Sequence, residues 1–101
     1  MIRHIVMFQF KSEADGRSRE ENVLMTKAML EALPEKIDWI RYSAVQINAA
    51  GADATNYDLV LISDFDSLED LARYQTHPDH VAVGAFMRPL RLSRACVDFE
   101  M

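Results

Sequence analysis

The chain has 101 residues, of which 50% are apolar and 27% are charged, so one globular domain over residues 1–101 is expected. Eleven Lys and Arg against sixteen Asp and Glu give a formal net charge of −5, which argues against nucleic acid or an anionic membrane as partner. Cys96 is the only cysteine, which excludes an internal disulfide, an iron–sulfur cluster and a multi-cysteine zinc site.

Targeting and membrane signals are not apparent in the sequence. The N-terminal residues lack the charged start, apolar run and small-residue cleavage site of a signal peptide. No apolar run approaches the roughly 18 residues that a membrane span needs. We therefore expect a reducing, cytoplasmic location and no membrane partner.

The first half of the chain predicts a strand, a helix and a second strand. β-branched and aromatic residues dominate Ile2 to Phe10, which is typical of a strand. A Ser-x-x-Glu capping box followed by apolar residues at helical spacing predicts a helix over about Ser18 to Leu33, ended by Pro34. An irregular strand is predicted over Ile37 to Asn48.

The second half predicts a loop, a strand, two short helices and a last strand. Small residues and turn formers fill 49–56, and the apolar run Tyr57 to Phe65 follows. A second capping box at Ser67 begins a helix, which Pro78 separates from another helix reaching about Pro89. Leu92 to Glu100 is the final strand. The order β-α-β-β-α-β is typical of an α+β, ferredoxin-like fold with a four-stranded antiparallel sheet.

The first strand is apolar on both faces, because Ile5 and Met7 alternate with Val6 and Phe8. The third strand repeats this alternation. Helices can cover only one face of such a sheet, so the other face is expected to pack against a second sheet in a two-fold homodimer. The alternative is that the outer face is partly roofed by the 49–56 loop or by the C-terminus.

Four segments of the chain resemble one protein family: MIRHIVMF (1–8), YDLVLISDF (57–65), YQTHPDHV (74–81) and VDFE (97–100). In order and spacing they resemble the Dabb family, the stress-responsive dimeric α/β-barrel proteins, over nearly the whole chain. The resemblance implies a homodimeric ferredoxin-like barrel, which agrees with the two apolar strand faces.

His80 is the histidine most suited to chemistry. It is expected in the first turn of the last helix, where the helix dipole favours a neutral imidazole that can act as a base. Gly84 follows one turn later, so no side chain fills the space beside the ring. Asp79 opposes the dipole effect, which leaves the direction of the pKa shift open. The alternatives are a half-buried structural histidine and close helix packing at Gly84.

His77 and His80 with Asp79 are spaced as metal ligands could be, but their number and their positions argue against a metal site. A site needs three or four protein ligands, and His77 precedes a proline in the turn. Asp79 suits a helix N-terminus. We therefore expect His77 to be a turn or cap residue, and we expect no metal or other cofactor.

Tyr74 and His80 are six residues apart across the Pro78 break, so both rings can point into one corner between helix and sheet. The sheet order 4-1-3-2 expected for this topology brings His4 and Asp98 to the same end of the sheet. A carboxylate within an apolar strand usually has a partner, and Asp98 is expected to hold the imidazole of His80. The alternatives are a core tyrosine and a solvent-facing carboxylate.

A plant polyketide cyclase of the Dabb family uses a tyrosine and a histidine at positions similar to Tyr74 and His80. An aspartate matching Asp98 orients that histidine, and a further pocket histidine matches His4. The resemblance implies an intramolecular aldol condensation without a cofactor, in which the histidine removes a proton and the tyrosine holds the oxygen.

Two functions therefore stay open. One is a cofactor-independent cyclase or lyase that binds a small apolar or polyketide-like molecule. The other is a non-catalytic stress-response or ligand-binding dimer. Besides these two, an oxygenase of the related barrel families is a less favoured interpretation. An open apolar cavity beside Tyr74 and His80 would favour a ligand site, whereas a closed, dry space would favour a structural role.

Overall fold

The computed structural model describes residues 1–101 and contains one four-stranded antiparallel sheet with three helices. The elements in chain order are β1 Ile2–Phe10, β2 Glu13–Ala14, β3 Arg17–Ser18, α1 Arg19–Lys36, β4 Tyr42–Ile47, β5 Leu59–Phe65, α2 Leu68–Thr76, α3 Pro78–Met87 and β6 Arg91–Glu100. The large sheet has the order β4-β5-β1-β6. The four predicted strands correspond in chain order to β1, β4, β5 and β6, so the observed order is the predicted 4-1-3-2 counted from the opposite edge. This is the predicted ferredoxin-like arrangement, so the predicted fold and sheet order are confirmed.

The sheet has an inner face, which carries the helices, and an outer face. Val6, Phe8 and Phe10 of β1 are buried on the inner face in one core with Leu30 of α1 and Val83 of α3. The outer face consists of Arg3, Ile5 and Met7 of β1 with their cross-strand partners, among them Ile62 and Val60 of β5, Val97 and Phe99 of β6, and Ala44 of β4. No helix of the chain lies on the outer face, where Val97 is 55% exposed.

Helix α1 begins as predicted and ends later than predicted. Ser18 caps it in a complete capping box with Glu21. Pro34 lies inside the helix, which continues to Lys36. Proline deletes one amide donor, but the amide of Ile37 still donates to the carbonyl of Leu33 at 2.9 Å. The buried side chains of Leu33 and Ile37 hold this last turn against the core.

The second large-sheet strand is shorter than the predicted Ile37–Asn48, because it begins only at Tyr42. The preceding residues pack around the core, with Ile37 fully buried and Trp39 and Ile40 against it. A short hairpin of β2 and β3 was not predicted. Its turn residues Asp15 and Gly16 both have positive φ, 53° and 73°, and Asp-Gly is a known signal for such a turn.

Helices α2 and α3 are separated at His77, as predicted. His77 ends α2 and is the N-cap of α3, where its Nδ1 accepts a hydrogen bond from the amide of Asp79 at 3.1 Å. Pro78 occupies the first turn of α3, where its missing amide costs nothing. The resulting bend places Tyr74 of α2 and His80 of α3 beside each other. None of the helices is both long and apolar enough to cross a membrane.

Candidate active site in the His80 recess

A row of polar residues crosses the inner face of the sheet. Ser43, Ser63, His4 and Asp98 are cross-strand partners on β4, β5, β1 and β6. His4 and Ser63 are buried within an otherwise apolar core, at 2% and 1% exposure. The Oγ atom of Ser63 has no hydrogen-bond partner. Buried polar groups without partners are rare because they lower stability, so this row is a candidate for a functional role.

Asp98 holds His4 and does not hold His80. The Nδ1 atom of His4 lies 2.5 Å from Oδ1 of Asp98, because the two residues face each other directly across β1 and β6. A carboxylate can only accept a hydrogen bond, so Nδ1 of His4 carries the proton. The expectation that Asp98 orients His80 is therefore wrong, although the expected proximity of His4 and Asp98 is present.

The backbone of α2 orients His80 instead. Nδ1 of His80 lies 3.1 Å from the carbonyl oxygen of Gln75, and a carbonyl can only accept, so Nδ1 is the donor. In the neutral ring the lone pair is therefore on Nε2. Burial lowers the pKa of His80, with nearby His4 and Arg94 acting in the same direction and the bond to Gln75 opposing them. His80 is thus a neutral, oriented imidazole at pH 7.

Tyr74 lies directly against His80 but deeper in the core. The ring centroids of Tyr74 and His80 are 4.4 Å apart, and His4 contacts Tyr74 edge-on at 6.4 Å. Burial raises the pKa of Tyr74 well above its ordinary value, so the phenol stays protonated and can donate its proton in a hydrogen bond. Phe65 packs on the ring at 4.9 Å.

A recess of about 90 Å³ lies beside His80. Its lining combines polar and apolar side chains: His4, Val6, Phe8, Leu30, Leu61, Gln75, His80, Val83, Gly84, Met87, Arg91 and Arg94. We call it the His80 recess. Tyr74 is not part of this lining. This volume is well below the roughly 300–1,000 Å³ of drug-sized pockets.

Gly84 keeps one wall of the recess open. A Cβ atom added there would meet no other atom within 4 Å. Close helix packing therefore does not explain this glycine. Glycine inside a helix lowers stability relative to alanine, so the residue maintains space beside His80 at a cost to α3.

Two arginines are among the residues that line the recess. Arg91 and Arg94 line it from β6, and neither forms an ion pair. They lie in a protein of net charge −5. The sequence pattern did not indicate them, because arginines in an edge strand usually face solvent. The strand pairing reveals them, because Arg94 is opposite Phe8 and Arg91 is opposite Phe10, and both phenylalanines are on the inner face.

Cys96 completes a cluster that sequence spacing did not indicate. Its Sγ atom lies 3.5 Å from Nδ1 of His4 and 3.7 Å from Oδ1 of Asp98. Residues 4, 96 and 98 are brought together only by the pairing of β1 with β6. The sequence-based metal interpretation considered His77, Asp79 and His80, whereas His77 and Asp79 form the α3 cap.

The fold and the recess define a ferredoxin-like α+β protein with a histidine and a tyrosine at the junction of sheet and helices. The chain matches the family described as the stress responsive A/B barrel domain, Dabb, over residues 2–101. It therefore belongs to the Dabb family, which confirms the resemblance found in the sequence.

Two relatives support this assignment. A stress-response A/B barrel domain-containing protein from Arabidopsis thaliana is 32% identical over 83 residues, which are 82% of this chain and 30% of that protein. The chain thus spans less than a third of that relative's length. An uncharacterized protein of Streptomyces coelicolor is 34% identical over 87% of this chain and 88% of its own.

Solved structures show the same fold. A dimeric ferredoxin-like protein of unknown function from Bacteroides fragilis has a TM-score of 0.87 at 36% identity and covers 99% of this chain and 95% of its own. A hydroxynitrile lyase from Passiflora edulis has a TM-score of 0.81 at 16% identity, covering 99% of this chain and 92% of its own. At that identity the second likeness concerns the fold alone.

Proposed function

We propose that this Dabb protein is a homodimeric barrel that binds a small anionic carbonyl compound in the His80 recess and removes a proton from it without a cofactor. The observation that carries the proposal is the state of His80. Its Nδ1 is fixed by the Gln75 carbonyl and its pKa is lowered by burial, so Nε2 is a base at neutral pH. A general base must be unprotonated and oriented before the substrate arrives.

The proposed chemistry is a proton abstraction beside a carbonyl group, as in an aldol-type cyclase or lyase. Nε2 of His80 takes the proton, and the electron pair moves towards the carbonyl oxygen as an enolate. Tyr74 lies behind the recess lining, so its hydroxyl donates a hydrogen bond to that oxygen through a bridging water molecule. Such stabilisation needs a protonated phenol, which the raised pKa of Tyr74 ensures.

The size and charge of the recess restrict the substrate class. A polyketide-like molecule exceeds the 90 Å³ recess, so the reacting end of the substrate must be only a few atoms across. The guanidinium groups of Arg91 and Arg94 suit a carboxylate, which arginine recognises with paired hydrogen bonds. A short keto acid has both features.

The dimer is proposed from the outer face. The outer face is apolar at Ile5, Met7 and Val97 and carries no helix, and an exposed apolar surface of this kind usually contacts another protein. The Bacteroides fragilis structure is described as dimeric. Two outer faces packed together would remove these side chains from water.

The second candidate is a non-catalytic dimer, and the small recess and the buried position of Tyr74 favour it. In this function His4, Tyr74 and His80 complete the core, and no substrate reacts. The two candidates differ in a measurable way, because only a base in contact with a bound carbonyl compound can exchange the protons beside that carbonyl.

The test is proton exchange with short 2-keto acids in D₂O, followed by NMR. The wild-type protein is expected to accelerate loss of the proton signal beside the carbonyl, and His80→Ala is expected to abolish the acceleration. His77→Asn is the matched control, because the asparagine side-chain oxygen can accept the capping hydrogen bond that Nδ1 of His77 accepts, and His77 lies outside the recess. Exchange that is equally fast in His80→Ala, or absent for every keto acid with wild type, would reject the catalytic function.

A further inference from the structure

We propose that His4, Cys96 and Asp98 form a binding site for a thiophilic divalent cation, with Zn²⁺ as the natural choice. The site goes beyond the proposed function, since that chemistry needs no metal. Its donor atoms are Nδ1 of His4, Sγ of Cys96 and Oδ1 of Asp98, which all lie within 4.8 Å of one another. These are the three donor types that protein zinc sites use.

The distances suit a tetrahedral ion. With zinc bonds of about 2.0–2.3 Å, neighbouring donors at tetrahedral angles are about 3.3–3.8 Å apart. Sγ of Cys96 already lies 3.5 Å from Nδ1 of His4 and 3.7 Å from Oδ1 of Asp98. Only the 2.5 Å contact between Nδ1 and Oδ1 has to widen, because a metal ion is larger than the proton it replaces there.

The surroundings of the three donors combine one ligand in a fixed position with access for the ion from solvent. His4 is 2% exposed and fixed in the central strand β1, whereas Cys96 and Asp98 lie on the exposed edge strand β6. Three protein donors leave the fourth position of a tetrahedral ion for water or a ligand. Ser63, the cross-strand neighbour of His4, has a buried Oγ without a hydrogen-bond partner.

Binding rearranges protons in a defined way. The bond from zinc to Sγ replaces the S–H bond, and the thiol proton leaves to solvent. In neutral His4 the proton moves from Nδ1 to Nε2, so that Nδ1 can bind the metal. With the Cys96 thiolate and the Asp98 carboxylate, the donor set carries two negative charges, which offset the ion and exceed the single positive charge of nearby Arg94.

The test uses Co²⁺ as a spectroscopic substitute for Zn²⁺ with the tag-free protein. A cobalt–thiolate charge-transfer band and visible bands of tetrahedral Co²⁺ are expected at one equivalent per chain, and Zn²⁺ should displace them. Because Cys96 is the only cysteine, any cobalt–thiolate band reports on this residue. Zn²⁺ should also protect that thiol from a disulfide reagent.

Variants distinguish metal binding at these three residues from metal binding elsewhere on the protein. Cys96→Ser should remove the charge-transfer band and weaken binding by at least the roughly 10–100-fold that loss of an outer-shell partner costs. Asp98→Asn should weaken binding similarly, whereas His77→Asn should bind like wild type. No cobalt–thiolate band in folded wild type, or equal binding by Cys96→Ser, would overturn the proposal. His80→Ala keeps all three ligands, so cobalt binding by that variant is independent of the base proposed above.

Discussion

At the scale of single residues, the main finding is that His80 and Asp98 are separate. Asp98 is paired with His4 across two strands, and the Gln75 carbonyl orients His80. A histidine held by a carbonyl receives no negative charge from its partner, so burial dominates and its pKa falls. An aspartate in the same place would raise the pKa and favour imidazolium. The observed partner therefore suits a base better than the predicted one.

His80→Ala should separate stability from function. The substitution removes a half-buried side chain beside an open recess and leaves Asp98 paired with His4, so a loss of about 1 kcal/mol or less is expected. Thermal or urea denaturation measures it. A loss of several kcal/mol would instead identify His80 as a structural core residue.

Tyr74→Phe should test the phenol without disturbing the core. The ring stays packed between Phe65 and His80, so stability should change little. If the hydroxyl contacts a ligand, keto acid binding measured by calorimetry should weaken by about 0.5–1.5 kcal/mol, the usual value of one hydrogen bond. Unchanged binding would exclude the phenol from the site.

The paired Arg3 and Asp64 predict a pH dependence. Arg3 donates two hydrogen bonds to the carboxylate, at 2.8 and 2.9 Å, and lowers the pKa of Asp64. Between this lowered value and the unfolded value of about 3.9, the unfolded chain binds more protons. This stabilisation is therefore present above about pH 4 and is lost as the pH falls further. Urea denaturation between about pH 3 and 6 should show a shallower dependence of stability on pH for Asp64→Asn than for wild type, and identical dependences would contradict this assignment.

At the scale of elements, the sequence was sufficient where local signals agree with packing. The capping box of α1 and the proline break between α2 and α3 were predicted because capping and proline act within one turn. Pro34 was misread as a helix end, since the burial of Leu33 and Ile37 outweighs one lost hydrogen bond. The start of β4 was also misplaced, because Ile37 is as apolar as a strand residue but packs in the core.

The candidate site was only half predictable for a related reason. Tyr74 and His80 were found because they are near in sequence and separated by a visible break. The position of His4 next to Asp98 followed from the sheet order. The partner of His80 is a backbone carbonyl, which no side-chain pattern reveals. The side chains contributed by β6, namely Arg91, Arg94 and Cys96, entered the site only through the register of an edge strand.

Gly84→Ala gives a prediction for helix α3. Alanine should stabilise the helix by about 0.5–1 kcal/mol, because the added Cβ meets no atom within 4 Å. If the recess holds a ligand, the same methyl group should narrow it and weaken keto acid binding. Denaturation and calorimetry on one variant test both effects, and a more stable protein with unchanged binding would place the ligand elsewhere.

At the scale of the whole molecule, the outer face requires a partner. Val97→Asp puts a charge on this face, beside Ile5 of the central strand β1, and should yield a monomer in sedimentation equilibrium, whereas wild type should have twice the chain mass. Leu68→Asp is the control: Leu68 is 62% exposed but begins helix α2 on the other side of the sheet. A folded wild-type monomer at micromolar concentration, or a dimer that persists in Val97→Asp, would contradict this interface.

The central claim is that His80 is a neutral base with its lone pair on Nε2, and it can be tested in the intact protein without a substrate. Long-range ¹⁵N NMR of the three histidine rings distinguishes the two neutral tautomers and follows protonation with pH. For His80 we expect the proton on Nδ1 and a midpoint below the ordinary value of about 6.5. A proton on Nε2, or a charged His80 ring at about pH 7, would contradict the claim.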